Sequence, residues 1–246
     1  MATEAPPTRR HWIVEFYGST VGKKWVMAIT GIILMVYVIA HMVGNLKVFL
    51  PAEMVDGELV ADIDIYAEFL RELLVPIAPH AVVLWIMRLG LIAATILHVE
   101  AMISLTRRNL GAKPTRYQHQ DFQAATYAAK TMRFTGPIVL AFVVFHLLDL
   151  TWGVAPFNPE FIQGEVAHNL VVSLTRTGWV IFYVIANLAL GFHLWHGAWS
   201  MFQSLGWNNP RFNRARDLFA YGFTVVVVGG NLLILAGIYF GFTQIS

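Results

Sequence analysis

The chain has 246 residues, 57% hydrophobic and 13% charged, with a net charge of +2 and no cysteine. A soluble domain is about 45–50% apolar and about 25% charged, so this composition belongs to a membrane protein, one compact domain over residues 1–246. The missing thiols exclude disulfides, thiolate-bound iron–sulfur clusters and covalently attached haem within the chain.

The first ten residues are polar and the first apolar run exceeds the ~7–15 residues of a signal core, so no cleavable signal peptide is expected. GSTVGKK at 18–24 has the look of a phosphate loop. Its spacing is short and no Ser or Thr follows Lys24, so Ser19 or Thr20 is read as a helix cap instead. Five apolar runs reach the about 20 residues that cross a ~30 Å hydrocarbon core. They predict an all-α, integral-membrane bundle with helices over 21–49, 81–105, 134–154, 177–203 and 218–242. Gly31, Gly44, Gly90, Gly191, Gly229, Gly230 and Gly237 lie within these runs, where small residues permit close helix packing or make room for a flat ligand.

Lys and Arg set the orientation. The N-terminal segment carries Arg9, Arg10, Lys23 and Lys24, and the second-to-third connection Arg107, Arg108, Lys113, Arg116, Lys130 and Arg133. The fourth-to-fifth connection adds Arg211, Arg214 and Arg216. Lys47, Arg71, Arg88 and Arg176 complete the set, toward the opposite side. Positive-inside then puts the N-terminus in the cytoplasm and the C-terminus outside. The external segment 50–80 holds Glu53, Asp56, Glu58, Asp62, Asp64, Glu68 and Glu72, and its apolar spacing predicts an amphipathic surface helix over 62–75.

Five histidines fall inside the spans: His41, His98, His146, and the doublet His193 and His196. Ionisable groups at membrane depth are costly and mark function. At ~1.5 Å per residue, His41 lies ~24 Å and His146 ~18 Å from the inner edge. On the same rise, His98 lies ~26 Å and His193 ~21 Å from the outer edge. Two imidazoles therefore fall in the outer half and two in the inner half. That is the arrangement for two stacked bis-histidine haems, His41 with His146 and His98 with His193. Zinc wants three or four ligands at one level, whereas a six-coordinate haem needs two opposed nitrogens and serves electron transfer. His193 and His196 point about 60° apart around their helix, so a single porphyrin takes one of them, and spacing leaves the choice open.

SxxGKKWVMAITG with AHMVGNLKVF at 40–49, ILHVEA at 96–101, VVFHLLD at 143–149 and GFHLWHGAWSMFQSLGW at 191–207 carry a family resemblance. Over nearly its whole length the chain resembles the single-chain, dihaem cytochrome b subunit of succinate:quinone oxidoreductases and fumarate reductases. The resemblance selects His193 as the fourth-helix ligand and leaves His196 a supporting or propionate-binding role. It implies a membrane anchor in the bacterial plasma membrane, belonging to the respiratory chain and the tricarboxylic acid cycle as part of succinate dehydrogenase. It also implies two haem b groups, a menaquinone-type quinone, and partner flavoprotein and iron–sulfur subunits on the cytoplasmic face that hold FAD and the clusters. Electrons would reach the inner haem first and the outer haem next, or run the reverse way in a fumarate reductase. No nucleic-acid partner is expected.

Propionates require cationic or hydroxyl partners. Arg88 suits the outer haem, and Lys24 and Arg133 either serve the inner one or reach to headgroups. Asp149 is expected to exchange protons with quinone or to pair with Arg88. Trp152 stacks on the quinone or anchors the interface, and Glu100 is a further proton-exchange candidate. From a different class, the histidines and Asp149 would line a proton path in a transporter.

Overall fold

The computed structural model describes residues 11–111, 123–207 and 209–245, and the backbone alone for 123–130. Arg9, Arg10, Lys113 and Arg116 lie outside the described residues, as does the side chain of Lys130. A short helix α1 (Trp12–Gly18) turns into α2 (Thr20–Asn45), which ends in a 3-10 turn at Leu46–Phe49. A two-stranded hairpin, β1 (Glu53–Val55) and β2 (Glu58–Val60), precedes α3 (Asp62–Glu72). Then come α4 (Val82–Gly111), α5 (Gln123–Leu150), α6 (Val166–Leu174), α7 (Thr177–Ser204) and α8 (Asn213–Tyr239). Five helices are long and apolar enough to cross a membrane, which makes the chain a multi-pass, helical membrane protein.

Three predicted spans are too short at their polar ends. The second continues to Gly111 rather than 105, and the third begins at Gln123 rather than 134 and stops at Leu150. The fifth begins at Asn213 and stops at Tyr239, and the surface helix closes at Glu72. Ser19 caps α2 as expected, its hydroxyl accepting the N–H of Gly22 at 2.9 Å. A Cβ on Gly22 would lie 1.9 Å from the carbonyl oxygen of Phe16, so the fold back from α1 requires glycine there.

Two apolar clusters hold the bundle. One gathers Met42, Val48, Ile63, Leu170, Tyr183 and Ile238 at the end that carries the hairpin, and the other gathers Met35, Leu190, Leu194, Ala198 and Val227 at mid-bundle. Both are built on α2, α7 and α8. Gly191, Gly230 and Gly237 let those helices close up, since a Cβ would come within 3.0 Å of Val228, 2.4 Å of Met42 and 2.6 Å of Phe49 respectively. Helices α4 and α5 contribute little. The buried apolar residues of α4 are Ala94, Ala101 and Leu105, and α5 has none among the described residues.

Packing is pairwise, α4 on α2 and α5 on α7, with α2 touching α7 and α8 bracing both. Across the middle, α4 and α5 hardly touch, nor do α2 and α5 or α4 and α7. Two helix pairs thus face each other across an open seam.

The hairpin end is tied by polar contacts. Asp64 of α3 accepts the N–H groups of Val166 (2.6 Å) and Ala167 (3.1 Å), capping the start of α6 from 102 residues away. Lys47 pairs with Asp62 at 2.6 Å. Glu68 accepts from His80 (3.1 Å) and Arg71 (2.9 Å), and those two hydrogen bonds, His80 first, hold its carboxyl below the usual range.

Replacing Asp64 with Ala is expected to lower stability by about 1 kcal/mol, the cost of a lost cap, and to speed hydrogen exchange at Val166 and Ala167. Glu68 supplies its tie above the ordinary carboxylate pKa and loses it as pH falls through the depressed folded value. Exchange protection over residues 73–81, corrected for intrinsic rate, should therefore fall on acidification and stay flat in Glu68→Gln.

Candidate functional site

The seam is bridged by four imidazoles. The ring centroids of His41 (α2) and His146 (α5) stand 5.8 Å apart, and those of His98 (α4) and His193 (α7) 6.4 Å apart. Each pair joins helices whose backbones stay separate, so the side chains reach across from opposite walls. The first pair lies toward the hairpin end, the second toward the α1 end. Among the described residues no three of His, Asp and Glu converge as a metal cluster, so the imidazoles meet in twos.

Three of the four have a partner at Nδ1. Asn45 Nδ2 lies 3.1 Å from His41, the Thr30 hydroxyl 3.1 Å from His98 and the Tyr183 hydroxyl 3.4 Å from His146. The Thr30 and Tyr183 hydroxyls spend their hydrogens on the Val26 carbonyl and on Asp149, so each accepts from its imidazole, which fixes the hydrogen on Nδ1 and leaves Nε2 for a ligand; the Asn45 amide nitrogen instead donates to His41 Nδ1. His193 Nδ1 is buried and has no hydrogen-bond partner, an unsatisfied polar atom in apolar surroundings. Room beside the second pair comes from glycine. A Cβ on Gly31 would lie 3.5 Å from His98 Cε1, and one on Gly136 would lie 3.8 Å from His193 Cε1. Next to Gly136, Pro137 lies inside α5 and has no N–H for the preceding turn.

His196 does not join either pair. Its ring lies 6.0 Å from Trp195 and 6.3 Å from Trp199.

Asp149 is fully buried, and its cation is Arg176, with Nη2 3.5 Å from Oδ1. The expected pairing with Arg88 is not formed. Helix α5 packs on α6 and α7 rather than on α4, and Arg88 lies over the ring of Trp85 at 5.1 Å. Asp149 Oδ2 accepts from Ser173 (2.5 Å) and Tyr183 (2.8 Å). Arg176 also donates to the carbonyl of Phe157, which Trp179 Nε1 reaches at 3.0 Å. Trp152 is 60% exposed just past the end of α5.

At the α1 end Lys23, rather than its neighbour Lys24, is buried. Its Nζ lies 2.6 Å from Glu100 Oε2 and 3.4 Å from the centroid of the Tyr17 ring, and Tyr17 donates to the same carboxylate at 2.8 Å. Lys24 and Arg133 are exposed. Beside this pair a cavity of about 650 Å³ is lined by Thr95, Val99, Ile103 and Leu140, with Glu100 and Arg107 among its polar residues. Asp149 and Trp152 therefore sit at one end of the bundle and Glu100 at the other.

Sequence reading missed Tyr183, Thr30, Asn45 and Ser173 as neighbours of this chemistry. Asn45 was legible, four residues after His41 on one helix face. The others come from helices whose rotation no spacing reports. Comparisons with protein-family models, curated proteins and solved structures give no match for this chain.

Glu100→Gln leaves the buried Lys23 ammonium without its counter-charge. A cost of about 1–3 kcal/mol is expected, below the fully buried case because the carboxylate side is 44% exposed. The double variant Lys23→Met with Glu100→Gln should recover most of that loss in thermal unfolding in detergent.

Proposed function

We propose that this chain is the haem-bearing membrane anchor of a succinate:quinone oxidoreductase in the bacterial plasma membrane. On this reading it links an iron–sulfur partner on the cytoplasmic side to a menaquinone-type quinone. The observation that carries the reading is the pairing of four imidazoles across the seam at two levels. Two imidazoles bound on opposite sides of one iron, with metal–nitrogen distances of about 2 Å, bring their ring centroids about 6 Å apart. Separations of 5.8 and 6.4 Å fit that requirement.

The surroundings fit as well. Hydroxyl oxygens that accept at Nδ1 of His98 and His146 leave their Nε2 available, Gly31 and Gly136 leave space, and the walls are apolar. His41 and His146 would hold one haem b, and His98 and His193 the other. When bound, haem b supplies reversible one-electron chemistry. The chain's own part is to oppose the nitrogens, fix their tautomers, exclude water and separate the two levels along the membrane normal. His196, edge-on to Trp195 and tilted against Trp199, supports the helix near His193 without ligating.

Charge distribution supports an inward-facing α1 end. Lys24, Arg107, Arg108, Arg133, Arg211, Arg214 and Arg216 gather there beside the Lys23–Glu100 pair, whereas toward the hairpin end Lys47, Arg71 and Arg176 each face a carboxylate and Arg88 lies over Trp85. That surplus offers the cytoplasmic face to an iron–sulfur subunit. The sequence resemblance supplies the succinate and quinone chemistry, and the direction of turnover follows from the partners.

A reduced-minus-oxidised spectrum of the protein purified in mild detergent tests the reading, with two b-type haems per chain expected. His98→Ala and His193→Ala should each remove the same haem, His41→Ala and His146→Ala the other, and His196→Ala neither. Absence of any haem band, or loss of haem only in His196→Ala, would overturn it. Co-purification of flavoprotein and iron–sulfur chains, read by mass spectrometry, tests the assignment to succinate oxidation or fumarate reduction.

A further inference from the structure

A chain of buried polar side chains stands behind one of the imidazoles. Asp149, with no solvent exposure, accepts hydroxyl hydrogens from Ser173 (2.5 Å) and Tyr183 (2.8 Å) on Oδ2, and Arg176 stands 3.5 Å from Oδ1. Two donors and a guanidinium are the company of an ionised carboxylate. Tyr183 has a single phenolic hydrogen and commits it to Asp149. Its oxygen, 3.4 Å from His146 Nδ1, is left as an acceptor. His146 then carries its hydrogen on Nδ1 and keeps Nε2 unprotonated.

The other imidazoles are backed differently. His41 meets the neutral amide of Asn45, His98 the hydroxyl of Thr30, and His193 Nδ1 has no partner. Only behind His146, among the described residues, does a hydroxyl hand the ring on to a carboxylate. A carboxylate behind a ligating imidazole raises the basicity of the ring, as in the carboxylate–histidine–metal arrangement, and one intervening hydroxyl relays that effect at reduced strength.

We infer that Asp149, acting through Tyr183, is a positioning residue that fixes the His146 tautomer and makes the haem held by His41 and His146 harder to reduce. The inference rests on the haem reading above and adds a device by which the protein sets one haem apart from the other. Arg176, half-buried, and Ser173 keep the carboxylate aimed, and the burial of Asp149, Ser173 and Tyr183 keeps water from competing for it.

The test is an anaerobic redox titration of the full chain, purified in mild detergent with its co-purifying subunits and followed through b-haem absorption. Tyr183→Phe removes one oxygen and keeps the ring. In it one haem should become about tenfold easier to reduce, an upward shift of about 59 mV for a one-electron couple, while the other stays put. Asp149→Asn should move the same haem in the same direction. Thr30→Val, on the His98 side, should act on the other haem alone. Both haems bound with unchanged potentials in Tyr183→Phe, a shift of both together, or loss of a haem in place of a shift would each overturn the inference. If Asp149→Asn does not accumulate, Tyr183→Phe decides alone. A wild-type protein without b-type absorption defeats the functional reading itself, a result distinct from a two-haem protein whose potentials ignore Tyr183.

Discussion

Everything in this bundle turns on side chains that meet where helices do not. The backbones of α2 and α5, and of α4 and α7, stay apart, yet imidazole rings from those helices approach within 5.8 and 6.4 Å. An apolar interior normally closes until side chains interdigitate, because every gap forfeits dispersion contacts. Here the buried core is delegated to α2, α7 and α8, with their glycines and the two clusters, and α4 and α5, each packed on one of these, are held apart from each other. The seam is thus a built feature of the fold, kept open by where small residues and bulky ones were placed.

Polar groups inside the membrane follow the same economy. Lys23 finds Glu100 and Tyr17, and Asp149 finds Ser173, Tyr183 and Arg176. Each charge is satisfied by a different helix, so the ion pairs double as cross-links: α2 to α4 at one end, α5 to α7 at the other. These are the helix pairs that pack, and the polar ties reinforce that division instead of closing the seam.

Hydropathy made the five spans legible, because a run of about 20 apolar residues has few alternatives. It missed the first turns of α5, residues 123–133, since a helix that continues into water loses the apolar signal while keeping its backbone pattern. It also missed α6, nine residues long and started by a cap from distant Asp64. Rise per residue gave the depth of each histidine, and the structure brings together the rings that share a depth. Rotation about the helix axis is the quantity that sequence spacing lacks. That is why spacing points Asp149 at Arg88 where the structure pairs it with Arg176, and why it points to Lys24 where Lys23 is the buried residue. The choice between His193 and His196 was open for the same reason. The structure aims one ring at His98 and the other between two indoles.

The clasp between α3 and α6 bears on how the interior is reached. Asp64, Lys47 and Asp62 fasten the hairpin and its surface helix across the mouth of the bundle. With that end fastened, the bundle is least closely packed between α4 and α5, which share few contacts.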